Sequence, residues 1–121
     1  MSITIRGKVV SGIAQAGYYV ERYKDLFKPL LGADPYPGTL NVKLEKCIWD
    51  YTSCIEPIVI KPSEPGLCEA YVFKGRIKGL EVLIVKPVKS VHDCTIVEII
   101  AGVKLRDLLG LKDGDPVEIV I

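Results

Sequence analysis

The sequence predicts a mainly β protein, a small β-barrel carrying one or two short helices. Three observations point there. Short apolar runs rich in β-branched residues recur along the chain, at 3–10, 40–44, 58–60, 68–73, 76–85, 95–100 and 116–121. Gly, Pro, Asp and Ser clusters separate most of them, as turns separate strands. Only 21–31 and 103–109 carry helical spacing. About seven strands with two short helices pack most simply as a barrel with inserted helices.

The chain has 121 residues, 49% of them apolar, which suits one domain around a single core. No apolar run approaches the ~20 residues that span a bilayer. The N-terminus MSITIR has no signal-peptide pattern, so a soluble cytoplasmic protein with no membrane partner is expected. Sixteen basic and fifteen acidic residues give a net charge of +1. That argues against a nucleic-acid backbone as main partner, which needs a basic surplus.

The four cysteines, Cys47, Cys54, Cys68 and Cys94, have no metal or redox spacing and read first as small apolar residues. One Asn and one Gln in the whole chain point to a thermophilic source. Intracellular disulfides occur in such organisms, and one disulfide of open pairing is expected here.

The elements follow in order. Residues 3–10, ITIRGKVV, form the first strand. The loop Gly12-Ile13-Ala14-Gln15-Ala16-Gly17 has small side chains, so its N–H groups can approach an anion closely. Gly17 to Val20 resume an extended course. In 21–31, Tyr23, Leu26, Phe27, Leu30 and Leu31 make a helical stripe. Pro29 is expected to kink or split it, and Gly32 to close it.

Next comes Pro35-Tyr36-Pro37-Gly38-Thr39-Leu40-Asn41. Its prolines stiffen the chain, and Gly38 is expected to take an angle other residues avoid. Thr39 and Asn41, at i and i+2, point to one face of an extended chain. A hydroxyl beside a carboxamide oxygen is a hard-oxygen corner that suits Mg²⁺; the plainer alternative is a Pro-Gly turn feeding a strand. Leu40, Val42 and Leu44 share the opposite face. Trp49, Tyr51 and Ile55 read as core, with a pocket wall as the alternative.

The runs 68–73 and 76–85 read as two strands joined by a tight turn at Lys74-Gly75. His92, the only histidine, reads as structural. Glu98 shares its strand face with Ile96 and Ile100, so a desolvated carboxylate with a raised pKa is expected. Such a group can be a general base or a structural acceptor. Residues 103–109 read as a helix ended by Gly110, Leu111 to Asp115 as a turn, and 116–121 as the last strand.

Taken together, these residues resemble the archaeal CTP-dependent riboflavin kinases. The resemblance is carried by Val9-Val10-Ser11-Gly12, Gly17-Tyr18-Tyr19, the Tyr23, Lys24, Phe27 helix with Leu31-Gly32, and Pro35 to Val42. It continues through His92, Glu98 to Ala101, Lys104-Leu105-Arg106, Leu109 and Leu111 to Asp115. It keeps the order and approximate spacing over nearly the whole chain. The sequence departs from the family's glycine-rich loop at Ala14 and Ala16, and has Ser at position 90 where Thr is expected.

The resemblance implies a six-stranded cradle-loop barrel of swapped-hairpin type. It implies transfer of the CTP γ-phosphate to the riboflavin 5′-hydroxyl, giving FMN and CDP; a monomer is expected. Carried over, Gly12, Ile13, Ala14, Gln15, Ala16 and Gly17 would hold the phosphates. Val103, Lys104, Leu105 and Arg106 would recognise the cytidine nucleotide. Thr39 and Asn41 would bind one Mg²⁺, and Ser90 and Glu98 would contact the ribityl chain, with Glu98 as the base. Two alternatives belong to other classes: a DNA-binding regulator of the swapped-hairpin type, suggested by the C-terminal LRDLLGLKDGDPVEIVI, and a flavin-binding module without transfer.

Overall fold

A computed structural model describes residues 2–11, 20–62, 65–88 and 93–121. The elements are β1 (Thr4–Val10), α1 (Lys24–Leu31), β2 (Leu40–Leu44), α2 (Ile48–Tyr51) and β3 (Ile58–Ile60). They continue as β4 (Ala70–Ile77), β5 (Leu80–Pro87), β6 (Ile96–Ala101), α3 (Leu105–Leu109) and β7 (Pro116–Val120).

The strands pair antiparallel in the order β3-β4-β5-β6-β2-β1-β7, and β7 returns to β4. Six strands therefore close into a barrel, and β3 lies outside the ring. β4 shares one edge between two neighbours: Ala70, Tyr71 and Val72 pair with β3, while Arg76 pairs with Val120 of β7. Gly75 makes that last contact feasible, because a Cβ there would meet the Val120 carbonyl oxygen at 3.0 Å.

Strand period two divides the apolar residues into two cores. Ile5, Val9, Leu40, Val42, Leu44, Val82, Ile84, Val97, Ile99 and Ile119 fill the barrel. Their outward-facing neighbours Leu83, Val85 and Ile100 lie under Val20, Tyr23, Phe27 and Leu31 in a second cluster. β5 is buried on both faces for this reason, and reads as an unbroken apolar run rather than an alternating one.

Several expectations need correction. The β4–β5 turn is at Lys78-Gly79, where both φ angles are positive (49° and 79°), and not at Lys74-Gly75. Two Lys-Gly pairs four residues apart offered two registers, and packing against β7 selects the second. Helix α1 runs through Pro29; the break lies before it, at Tyr23. Val20 is helical rather than extended. Gly38 has no positive φ; it is small because a Cβ would stand 3.1 Å from the Tyr36 ring. Gly32 does close α1 in the left-handed region, its N–H donating to the Lys28 carbonyl at 2.9 Å.

Trp49 is 38% exposed, with its ring edge-on to Tyr71 at 5.2 Å. It is a surface aromatic and not core; Tyr51 and Ile55 are partly buried against the barrel core. None of the cysteines is a fully buried core residue. Cys47 and Cys94 form a disulfide, Cys54 is exposed and Cys68 is half-buried. The disulfide ties the start of α2 to the approach to β6. Among the described residues, no helix is long and apolar enough to cross a membrane.

Candidate functional site

The site lies where β1 ends, β2 begins and β6 runs between them. The ladder sets Asn41 opposite Glu98 on one side and opposite Val10 on the other. All three side chains point out of the barrel, because Val9, Leu40, Val42, Val97 and Ile99 point in. Thr39, two residues before Asn41, shares that outer face, and its hydroxyl donates to Glu98 Oε1 at 3.2 Å. The expected Thr39–Asn41 corner therefore exists, and Glu98 is part of it. Glu98 shares its face with Ile96 and Ile100, as its spacing predicts, and is half-buried.

The corner can take a hard cation. Asn41 is 7% exposed, and its carboxamide meets no hydrogen-bond partner among the described residues. A buried carboxamide oxygen left in this way is an open acceptor. Thr39 donates its proton to Glu98, which leaves the lone pairs of its oxygen as acceptors.

Beside the corner, Tyr36, Pro37, Gly38, Thr39 and Leu40 form one wall of a cleft of about 260 Å³. Val103, Lys104, Leu105 and Arg106 form the facing wall. A bond from the Tyr36 N–H to the Ala101 carbonyl, 2.7 Å, holds the two walls together. The expected residues 103–106 thus meet the Pro-Gly turn across one cleft. Only Leu105 and Arg106 lie in α3; Val103 and Lys104 precede it. Gly12 to Gly17, Ser90 and His92 lie outside the described residues. β1 nevertheless leads towards the corner, since its last register pair is Val10 with Asn41.

Sequence reading missed Lys86. This lysine is 6% exposed and donates to the carbonyls of Asp93 (2.6 Å) and Ile96 (2.8 Å), fixing the start of the strand that carries Glu98. Burial lowers its pKa, opposed by the negative charges of Asp93 and Glu98. The available signal was a lysine directly following the apolar run Leu83-Ile84-Val85. Asp93 caps the same turn, accepting from the Thr95 N–H at 2.9 Å and from the Thr95 hydroxyl. These bonds hold the Asp93 carboxyl below its usual range.

A family model named CTP-dep_RFKase, described as "Domain of unknown function DUF120", matches residues 9–121. The chain belongs to the CTP-dependent riboflavin kinase family. It is 39% identical to a riboflavin kinase of Staphylothermus marinus over all of this chain and 93% of that protein. It is 45% identical to a riboflavin kinase of Pyrococcus abyssi over 97% of this chain, and 41% identical to one of Archaeoglobus fulgidus over 99%. In those two it spans just over half the relative's length, 58% and 55%. The family's implied six-stranded barrel is the closed ring of this fold.

Proposed function

We propose that this chain is a CTP-dependent riboflavin kinase, transferring the γ-phosphate of CTP to the 5′-hydroxyl of riboflavin to give FMN and CDP. The observation that carries the reading is the Thr39–Asn41–Glu98 corner opening beside the 36–40/103–106 cleft. Membership of the family and the riboflavin kinase relatives support it.

The chemistry needs a nucleophile, an in-line γ-phosphate and neutralised charge. Glu98 accepts the proton of the riboflavin 5′-hydroxyl as its oxygen bonds to the γ-phosphorus. The bond from that phosphorus to the β–γ bridging oxygen breaks, and CDP leaves with the electron pair. Thr39 orients the Glu98 carboxylate through its hydroxyl. Mg²⁺ held by Thr39 and Asn41 would neutralise phosphate charge when bound. The 36–40 and 103–106 walls would hold the cytidine end, and Gly12 to Gly17 would supply N–H groups to the phosphates. We place the protein in the cytoplasm as a monomer.

The test is FMN formation from riboflavin with Mg²⁺, comparing CTP with ATP. FMN from CTP and hardly any from ATP supports the reading. Flavin binding without FMN from either nucleotide would make the chain a binding module. No flavin binding would leave only the fold.

A further inference from the structure

The turn Leu111 to Asp115 bridges two segments that lie far apart in sequence. Asp113 Oδ1 accepts from Arg106 Nη2 at 2.6 Å, and its Oδ2 accepts from the Ser11 hydroxyl. The same Arg106 nitrogen donates to the Val10 carbonyl at 3.3 Å. Backbone bonds run alongside: Gly114 N–H to the Val9 carbonyl at 2.7 Å, and Val9 N–H to the Asp115 carbonyl at 2.9 Å. One carboxylate therefore fixes the end of β1 and a cationic residue of the cleft wall.

We propose that Asp113 is a positioning residue for the nucleotide, holding the cleft-wall Arg106 in one arrangement against Ser11 and the end of β1. The proposal rests on the reading that 103–106 take the nucleotide. The Ser11 hydroxyl first, and Arg106 second, hold the Asp113 carboxyl below its usual range. With Asp113 engaging its guanidinium, Arg106 contributes placement more than free charge. As a partly exposed ion pair the contact adds little stability. Its leverage is preorganisation: fixing Arg106 before the ligand arrives lowers the ordering cost of binding.

The experiment measures CDP affinity by calorimetry, and KM for CTP and riboflavin, on the whole chain and on Asp113→Asn, Asp113→Ala and Ser11→Ala. Asparagine keeps the size but has one acceptor oxygen and no charge. For Asp113→Asn, the CDP Kd and CTP KM are expected to rise about tenfold, as expected for a lost charge-assisted bond. The riboflavin KM and the melting temperature are expected to stay near wild type. Ser11→Ala is expected to give a smaller rise, and to add nothing on top of Asp113→Ala. If the alanine variant does not fold, the asparagine variant carries the test. Unchanged CDP affinity in Asp113→Asn, or equal loss for both substrates, overturns the role while leaving the kinase reading intact. A wild-type chain that neither binds CDP nor uses CTP overturns the kinase reading, and this role with it.

Discussion

Asn41 on β2 and Glu98 on β6 stand opposite one another in the barrel wall, and the Thr39 hydroxyl closes the group with a 3.2 Å bond to the carboxylate. The two ladder partners are held by backbone pairing, and Thr39 stands immediately before β2, at the end of the Pro-Gly turn. The group is thus positioned before any substrate arrives, which is what in-line phosphoryl transfer requires.

Glu98→Gln tests the base. Glutamine keeps an oxygen for the Thr39 hydroxyl, so the fold and both KM values should change little. The turnover number is expected to fall by ~10²–10⁴, read from steady-state FMN formation across pH. A loss of only twofold or so would remove Glu98 from proton transfer.

Asn41→Ala separates a metal ligand from a structural amide. A structural buried amide stabilises through its hydrogen bonds, and removing it costs about 1–3 kcal/mol. Asn41 has no such bond among the described residues, so its melting temperature should hold or rise. Mg²⁺-dependent turnover should be lost while flavin affinity is kept. A fall in melting temperature with Mg²⁺ dependence unchanged would make Asn41 structural.

Cys47→Ser opens the disulfide to Cys94, across a sequence separation of 47. Chain-entropy arguments assign such a loop about 4 kcal/mol. A clear drop in melting temperature is expected, matched in the wild type by adding reductant. Titration of the unfolded, unreduced chain should find two free thiols, Cys54 and Cys68. Equal melting with and without reductant would contradict it.

Tyr23 gives a pH signature. Burial, and then Cys68, pushes its phenol from 10.0 up to about 12, and its hydroxyl donates to the Cys68 carbonyl. A pKa raised in the folded state contributes stability that is complete below the unfolded pKa and lost as pH rises through the folded one. Stability should therefore decline between pH 10.0 and about 12, measured by denaturant midpoint. Tyr23→Phe should cost about 1 kcal/mol at neutral pH and flatten that decline.

The strands were legible because their inward faces keep period two, and Glu98 was legible because a carboxylate broke an apolar run. The pairing of Thr39 with Asn41 followed from spacing alone. Three things were not legible, each for a stated reason. The β4–β5 turn had two Lys-Gly pairs to choose between, and the choice depended on the carbonyl of Val120. Lys86 needs two carbonyls, of Asp93 and Ile96, that only the fold brings to it. Asp113 sits in a turn of ordinary composition, and its partner Ser11 is 102 residues away.

The single ladder pair between Arg76 and Val120 is the barrel's joint. Going round the ring from that joint, three strands lie on either side before the β6–β2 boundary is reached. Asn41 and Glu98 straddle that boundary, diametrically across from the joint. Thermal breathing that parts β7 from β4 would splay the barrel like an opening cuff, hinging at the far wall, where strand spacing changes least. Amide exchange should then be fastest at Val120 and slowest at Val42 and Val97, so that the barrel flexes at its seam without disturbing the distance between Asn41 and Glu98.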